Sequence, residues 1–141
     1  MQPNSRPPTG IRLNNPTNMI YVPHVRWQGL ANPPYEGRFC HFVSPEYGFR
    51  AATKQLVTYA GRGIDTIGAI IPSWAPPSDH NDTAGYMDHM CQWSGIPRDK
   101  PLEHTDYLAF FRAMTRQENG FNPYPDAVIQ SGINMAITPL V

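Results

Sequence analysis

Apolar residues recur at helical spacing through most of the chain after residue 44. The clearest stripe follows Ser44-Pro45-Glu46, where an N-cap, a first-turn proline and an early acid precede it, and it stops at Gly61. Four further helices are predicted on the same grounds. The second helix starts at Asp65 or Thr66 and ends at Pro72 or at Pro76-Pro77, and the third runs from Asn81-Asp82-Thr83 to Gly95. The fourth starts at Thr105 and ends at Asn119-Gly120, and the fifth starts at Pro125 and continues through Ile133.

The chain before these helices is interrupted by prolines. Residues 1–10 are polar and proline-rich, which predicts an extended arm. Short apolar segments from Met19 to Val22 and from Phe39 to Phe42 predict small strands, and the region as a whole predicts a loop-rich lobe with a short hairpin. The sequence therefore predicts an α+β fold, with residues 11–141 forming a mainly helical single domain that carries a small loop-rich β-hairpin lobe.

Length and charge exclude several classes of protein. A chain of 141 residues fits one domain, and its 11 basic residues balance its 11 acidic residues, which argues against a nucleic-acid partner. No apolar run approaches the length of a membrane span, so we expect no membrane partner. Met1 to Pro8 lacks the pattern of a secretory signal, and we expect no export by that route.

Neither a metal ion nor any other cofactor is expected. His80, His89 and Cys91 have a spacing that fits no common zinc-ligand pattern. Cys40 and His41 are neighbours on a predicted strand, so their side chains point to opposite faces and do not form a thiol-protease pair.

Glu118 is the acidic residue that best fits a catalytic role. It lies at the end of the fourth predicted helix, where the helix dipole disfavours a carboxylate, and apolar neighbours such as Phe121 and Tyr124 would desolvate it. Both effects raise the pKa of a carboxyl group toward the range that a general acid needs near neutral pH. The alternative is a surface glutamate paired with Arg112 or Arg116.

The segment around Glu118 also resembles a known signature. Glu118-Asn119-Gly120-Phe121-Asn122-Pro123 is similar to the Glu-Ser-x-Phe-Asn-Pro motif of soluble lytic transglycosylases and goose-type lysozymes, with Asn119 in place of the serine. In those families the glutamate ends a helix and is the catalytic acid. The resemblance implies the same role for Glu118.

The first half of the chain resembles the same superfamily. Asn14-Asn15-Pro16-Thr17-Asn18, Trp27-Gln28-Gly29 and the run from Phe39 to Arg50 are similar to segments of bacterial β-N-acetylglucosaminidases, phage cell-wall hydrolases and small phage virion proteins. In these families the glutamate helix precedes the asparagine turn, whereas here it follows. The resemblance, over about residues 10 to 130, implies a lysozyme-like domain that is circularly permuted.

The resemblance also implies a reaction. Lytic transglycosylases use one glutamate, which protonates the glycosidic oxygen and then, as the carboxylate, removes the proton of the muramic 6-hydroxyl as a 1,6-anhydro ring closes. A hydrolytic muramidase would usually need a second carboxyl group. Glu36, on the predicted hairpin, is the candidate, and a solvent-exposed turn residue is the alternative.

Flat aromatic side chains and amides provide the chemistry for binding sugars. The alternatives are that Tyr86 belongs to a helix core and that Asn14 and Asn15 only form a turn. The candidate glycan-binding residues are Asn14, Asn15, Asn18, Trp27, Gln28, Trp74, Tyr86, Asn122 and Tyr124.

These features together predict a phage virion-associated enzyme that cleaves peptidoglycan as a lytic transglycosylase or muramidase during cell entry. Its expected partners are the glycan strands and other tail or capsid proteins. It would be carried in the virion and act in the host periplasm or cell wall. The alternative is a non-catalytic virion structural protein that keeps a lysozyme-like scaffold for contacts with its neighbours.

Overall fold

The computed structural model describes residues 6–137. Within that range it contains six α-helices and one antiparallel pair of strands, which confirms the α+β, mainly helical prediction. The elements are α1 (Thr9–Arg12), β1 (Leu30–Glu36), β2 (Phe39–Phe42), α2 (Pro45–Ala60), α3 (Ile67–Trp74), α4 (Thr83–Ser94), α5 (Tyr107–Asn119) and α6 (Asp126–Ile137). Single-turn 3-10 helices lie at Pro77–Asp79 and His104–Asp106.

Local signals account for most of the helix boundaries. Ser44 is the N-cap of α2, and the side chains of Thr66 and Asp82 accept backbone N–H hydrogen bonds at the starts of α3 and α4. Gly95 and Gly120 follow α4 and α5 with φ values of 73° and 84°, a left-handed conformation that glycine adopts without strain. These boundaries are therefore encoded by residues close to them in sequence.

One helix prediction is confirmed in one of its two forms, and another needs correction. α3 continues through Pro72 and ends just before Pro76-Pro77, because a proline near the end of a short helix removes only one hydrogen bond there. Thr105 does not cap the next helix. It lies in the 3-10 turn before α5, and Asp106 is the N-cap residue.

The helical core forms around the contact between α2 and α6. Gly132 of α6 allows this close approach, since a Cβ atom there would lie 2.5 Å from Phe49 Cβ and 2.6 Å from the Glu46 carbonyl oxygen. α5 packs against both α4 and α6. The largest side chains buried in this core include Phe42, Phe49, Met90, Phe110, Phe111 and Met114.

The two segments predicted as small strands have different outcomes. The segment from Met19 to Val22 makes only an isolated bridge between Ile20 and Phe39, and β1 is the strand that pairs with β2. β1 contains Pro33 and Pro34, which sequence analysis takes as strand breakers. In this two-stranded sheet they are tolerated because an outer edge needs no N–H donors.

The boundary of the predicted arm also changes. Residues 1–5 lie outside the described range, but Thr9 begins α1, and Gly10 is buried. Within residues 6–137, no helix is both long enough and apolar enough to cross a membrane. The same residues contain no cluster of three or more side chains suited to hold a metal ion.

Candidate active site

Glu118 lies in the last turn of α5, with its carboxyl group largely buried and hydrogen-bonded at both oxygens. Asn18 Nδ2 donates to Oε1 at 2.8 Å, and the hydroxyl of Tyr86 donates to Oε2 at 2.8 Å. Asn18 is 100 residues away along the chain, and Tyr86 belongs to α4. Three separate parts of the fold therefore meet at this carboxyl group.

The environment of Glu118 shifts its protonation equilibrium. Burial raises the pKa of the carboxyl group above its ordinary value, and the hydrogen bonds from Asn18 and Tyr86 oppose part of that rise. The pKa of the buried Tyr86 is raised well above its ordinary value, so its hydroxyl keeps its proton and remains the donor. Glu118 is thus a carboxyl group whose neutral form is favoured more than in water.

The surface ion pair considered for Glu118 is not formed. Arg112 pairs with Asp126, with Nη2 2.5 Å from Oδ2. The guanidinium of Arg116 lies over the ring of Trp93, 3.8 Å from its centroid. Both arginines are therefore engaged elsewhere on the helical surface.

Residues 14–18 form a tight loop, here called the asparagine turn, which the hairpin holds in place. Asn15 is fully buried, and its Nδ2 donates to the carbonyl oxygens of Met19 and Cys40, each at 3.0 Å. Its Oδ1 accepts the N–H of Met19 at 2.9 Å. Asn14 Nδ2 donates to the last carbonyl group of β2 at 3.1 Å. These bonds attach the asparagine turn to the hairpin, as the turn-forming alternative for Asn14 and Asn15 expects.

The backbone of the asparagine turn directs Asn18 toward the site. Asn14 and Asn18 have φ values of 53° and 54°, in the left-handed region where asparagine is enriched. Trp74 supports the turn from the helical side, because its indole Nε1 donates to the carbonyl oxygen of Thr17 at 3.2 Å. The turn is therefore fixed on both sides next to Glu118.

A cleft opens in front of these groups and divides into two halves at Trp74. The half that contains Glu118 has a volume of about 230 Å³, and the other about 210 Å³. Asn18, Ile20 and Trp74 line both halves. The Glu118 half is otherwise lined by Arg38, Phe39, Ala75, Asp79 and Asn81, and the second half by Met19, Gln55, Tyr59 and Ser73.

Two contacts shape the walls of the cleft. The ring of Trp74 meets that of Tyr59 edge to face, with 6.1 Å between centroids. At the rim, the guanidinium of Arg38 makes a two-point contact with Asp79, with Nη2 2.5 Å from Oδ2 and Nη1 3.3 Å from Oδ1. This exposed ion pair joins the hairpin lobe to the α3–α4 connection beside the cleft.

Several predicted site residues lie away from the cleft. Glu36 is exposed and forms an ion pair with Arg12, with 2.5 Å between Oε2 and Nη2, and its pKa is lowered chiefly by that hydrogen bond. Trp27 packs against the core from the loop before β1, and the adjacent Gln28 is exposed. None of these residues lines either half of the cleft.

Tyr124 and Asn122 also lie outside the lining of the cleft. Tyr124 packs edge to face against Phe49, and its buried hydroxyl has no hydrogen-bond partner among residues 6–137. Burial raises the pKa of that hydroxyl to about 12. Asn122 Oδ1 accepts the backbone N–H of Tyr124 at 3.1 Å, so it shapes the turn after α5. Both residues therefore contact the chain after α5 and the core rather than the cleft.

Sequence analysis missed most of the second half of the cleft. Gln55 and Tyr59 lie on α2, where a helix pattern alone cannot separate a core position from a cleft wall. Arg38 was missed because it lies in the turn of the hairpin, whose first strand was not predicted. Asn119 could have been identified from sequence, since it departs from the signature that the segment resembles.

Comparison with known proteins extends these observations. No model of a known protein family matches the chain. A bacteriophage protein is 36% identical to it over 126 residues, which cover 87% of this chain and 78% of the relative, so the chain belongs to the family of that phage protein. The relative is Protein P5 of Pseudoalteromonas phage PM2. The bacteriophage part of the sequence prediction is thereby confirmed.

Proposed function

We propose that this protein is a virion-associated lytic transglycosylase that cuts the glycan strands of peptidoglycan, with Glu118 as its single acid and base. The observation that carries the proposal is the carboxyl group of Glu118, which lies in a cleft, has a raised pKa and is held by Asn18 and Tyr86. A perturbed carboxyl group in a cleft is typical of a catalytic site. The resemblance to lysozyme-like enzymes points to the same residue.

The reaction assigns two consecutive roles to one carboxyl group. Protonated Glu118 donates its proton to the oxygen of the scissile glycosidic bond, and the leaving sugar departs with that oxygen as a hydroxyl group. The resulting carboxylate accepts the proton of the muramic 6-hydroxyl, whose oxygen attacks the anomeric carbon and closes the 1,6-anhydro ring. Glu118 ends protonated again, so atoms and charge balance without water.

The hydrogen-bond donors of the site suit both steps. Asn18 and Tyr86 bind the carboxylate more strongly than the neutral acid, which stabilises the form produced by the first proton transfer. Burial acts in the opposite direction and keeps a protonated fraction available. These opposing effects leave the pKa raised, as a group that must both donate and accept a proton requires.

The position of Glu36 favours this reaction over hydrolysis. A hydrolase with two carboxyl groups would place the second one across the scissile bond from the first, roughly 5 to 9.5 Å away. Glu36 is exposed, paired with Arg12 and absent from the lining of the cleft. A mechanism with one carboxyl group therefore fits this site better.

The second half of the cleft offers a surface for a neighbouring sugar ring. Trp74 and Tyr59 present aromatic rings, and Gln55 presents an amide beside them. This combination of flat apolar faces and polar groups suits the faces and hydroxyl groups of a pyranose. The glycan would run past Trp74 from this half into the Glu118 half.

Membership in a phage protein family supports a place in the virion. A virion component reaches the cell wall during entry, and its neighbours would be other virion proteins. Mass spectrometry of purified particles tests this part of the proposal. Its absence from particles would refute virion association without bearing on the chemistry of Glu118.

The reaction is tested by mass spectrometry of purified peptidoglycan after incubation with the wild-type protein, Glu118→Gln or Glu36→Gln. Glutamine keeps the shape of Glu118 and removes its proton. We expect 1,6-anhydromuramic products from the wild type and from Glu36→Gln, and none from Glu118→Gln. Reducing-end products that require Glu36 would instead show a hydrolase.

Folding has to be checked for each variant by circular dichroism, so that lost activity is not confused with unfolding. If the folded wild-type protein releases no product at any pH, the enzymatic proposal is wrong. A structural role within the virion then explains the family membership. Equal activity of wild type and Glu118→Gln would remove Glu118 from the mechanism while leaving an enzyme.

A further inference from the structure

Asn119 directly follows Glu118, at the position where the resembled signature has serine. Its side chain is 7% exposed, so its hydrogen bonds form inside the protein. Asn119 Nδ2 donates to the carbonyl oxygen of Pro16 at 2.8 Å and to that of Thr115 at 3.0 Å. The first of these bonds connects the end of α5 to the asparagine turn across 103 residues of sequence.

The bond from Asn119 completes a closed ring of interactions. Glu118 and Asn119 are adjacent in the chain, Asn119 binds Pro16, and Asn18 lies two residues further along the same turn. Asn18 in turn donates to Glu118. Fixing the distance from Asn119 to Pro16 therefore restrains the distance from the Asn18 amide to the Glu118 carboxyl group.

Gly10 supports this ring from the other side. A Cβ atom at Gly10 would lie 2.6 Å from Asn119 Oδ1 and 2.7 Å from Asn18 Oδ1. Both amide oxygens thus face the same glycine, and both are buried without a hydrogen-bond partner among residues 6–137. Because each oxygen points to Gly10, each Nδ2 group points to its own acceptor.

We infer that Asn119 is a positioning residue, which holds the Asn18 amide against the Glu118 carboxyl group by binding Pro16 of the asparagine turn. The inference rests on the proposed function of Glu118. Serine cannot replace Asn119 in this role, because its hydroxyl lies one bond closer to the backbone than Asn119 Nδ2. Because the turn and α5 are far apart in sequence, a noncovalent bond such as this one is needed to hold them together.

The test compares Asn119→Ala, Asn18→Ala and the double variant in the full-length protein. The pKa of Glu118 is measured by ¹³C NMR of its side-chain carboxyl group, with Glu118→Gln used to assign the signal. Loss of Asn18 should raise this pKa by about 1 unit, because a donor to the carboxylate disappears. Asn119→Ala should give a rise of the same direction, and the double variant no more than Asn18→Ala alone.

The catalytic measurement follows the same logic. Asn119→Ala should lower the rate of anhydromuropeptide release by about 10- to 100-fold, as expected for a displaced catalytic group. The pH dependence of the rate should move toward higher pH together with the pKa of Glu118. Asn119→Ser should behave like Asn119→Ala. The rate and the pKa can be measured on Asn119→Ser if the alanine variant does not fold.

Thr53→Val is the matched control for a purely structural effect. Thr53 is buried in α2, and its hydroxyl donates to the carbonyl oxygen of Phe49 at 2.8 Å, so the variant also removes one buried bond to the backbone. It should lower stability without moving the pKa of Glu118. If Asn119→Ala, like the control, lowers stability without moving the pKa of Glu118, Asn119 is not a positioning residue. The same conclusion follows if the pKa shifts of Asn18→Ala and Asn119→Ala add in the double variant.

The two proposals fail in different ways. If the wild-type protein does not cut peptidoglycan, the proposed function is wrong, while the NMR titration still decides whether Asn119 positions Asn18. If the wild type cuts and the pKa does not respond to Asn119→Ala, only the positioning role is refuted.

Discussion

The hydroxyl of Tyr86 should limit how far the pKa of Glu118 rises within its buried site. Tyr86 is 4% exposed and donates to Oε2 of Glu118 at 2.8 Å. Tyr86→Phe removes this donor and leaves the ring in place. Since the hydroxyl stabilises the carboxylate more than the neutral acid, its loss should raise the pKa of Glu118 further above its ordinary value.

The size of the effect follows from the charge of the acceptor. A hydrogen bond to a charged group contributes about 1.5 to 3 kcal/mol, and one to a neutral group about 0.5 to 1.5 kcal/mol. The difference, about 1 to 1.5 kcal/mol, corresponds to a rise of about 1 unit in the pKa of Glu118. Asn18 continues to donate to the other carboxylate oxygen, so the shift should not be larger.

The same change alters how stability depends on pH. The folded-state pKa of Glu118 lies above its unfolded value, so the stabilisation from this group is fully present below the unfolded pKa. It is lost as the pH rises through the folded pKa. Tyr86→Phe should extend this loss to higher pH and make it larger. The free energy lost by the variant, relative to wild type, should therefore be greater near about pH 8 than near about pH 4.

Two measurements check this prediction. ¹³C NMR of the Glu118 carboxyl group gives its pKa, and urea unfolding at the two pH values gives the stability difference. Tyr107→Phe is the control, because Tyr107 is a buried tyrosine at the other end of α5 from Glu118. An unchanged or lower pKa of Glu118 in Tyr86→Phe would refute the reasoning, as would an equal stability loss at both pH values.

Two further predictions concern positions near the site. Gly10→Ala should destabilise the protein by about 1 to 3 kcal/mol in urea unfolding, since the added Cβ would lie 2.6 to 2.7 Å from three oxygen atoms. Gly61→Ala is its control, because the nearest atom there is 3.4 Å away, and an equal loss in both variants would contradict the proposed crowding. Tyr124→Phe should cost less than about 0.5 kcal/mol, or stabilise, because it removes a buried hydroxyl without a partner. It should also leave the release of peptidoglycan fragments unchanged, and a loss of that activity would restore the glycan-binding role expected from sequence.

Sequence reasoning succeeded where the determining signal is local. The start of α2 follows from Ser44 and Pro45, and the end of α5 from Gly120, because caps and left-handed glycines act within one turn of the chain. The mainly helical fold follows from the sum of such signals. Strand β1, with Pro33 and Pro34, was not predicted, because proline in fact excludes only those strand positions that need an N–H donor.

The candidate site was harder to predict because its contacts join distant segments. Asn14, Asn15 and Asn18 have the same side chain, and nothing in their immediate sequence tells which of them reaches Glu118. In the structure they have different partners, since Asn14 and Asn15 bind the hairpin while Asn18 faces the cleft. Tyr86 is buried in α4 and its hydroxyl bonds to Glu118, a contact that neither the helix-core nor the glycan-binding interpretation of this residue includes.

The contact between α1 and α5 bears on the order of the motifs. Gly10 lies beside the side chain of Asn119, so the segment before the asparagine turn meets the helix that carries Glu118. A circularly permuted chain would keep this contact, because the helix and the turn that are consecutive in the related families would stay side by side after the chain is cut between them. The separation of Asn18 from Glu118 in sequence then has a physical consequence. The carboxyl group acquires Asn18 as a donor only when the N-terminal turn docks on α5, so the ionisation of Glu118 reports on the assembly of the site.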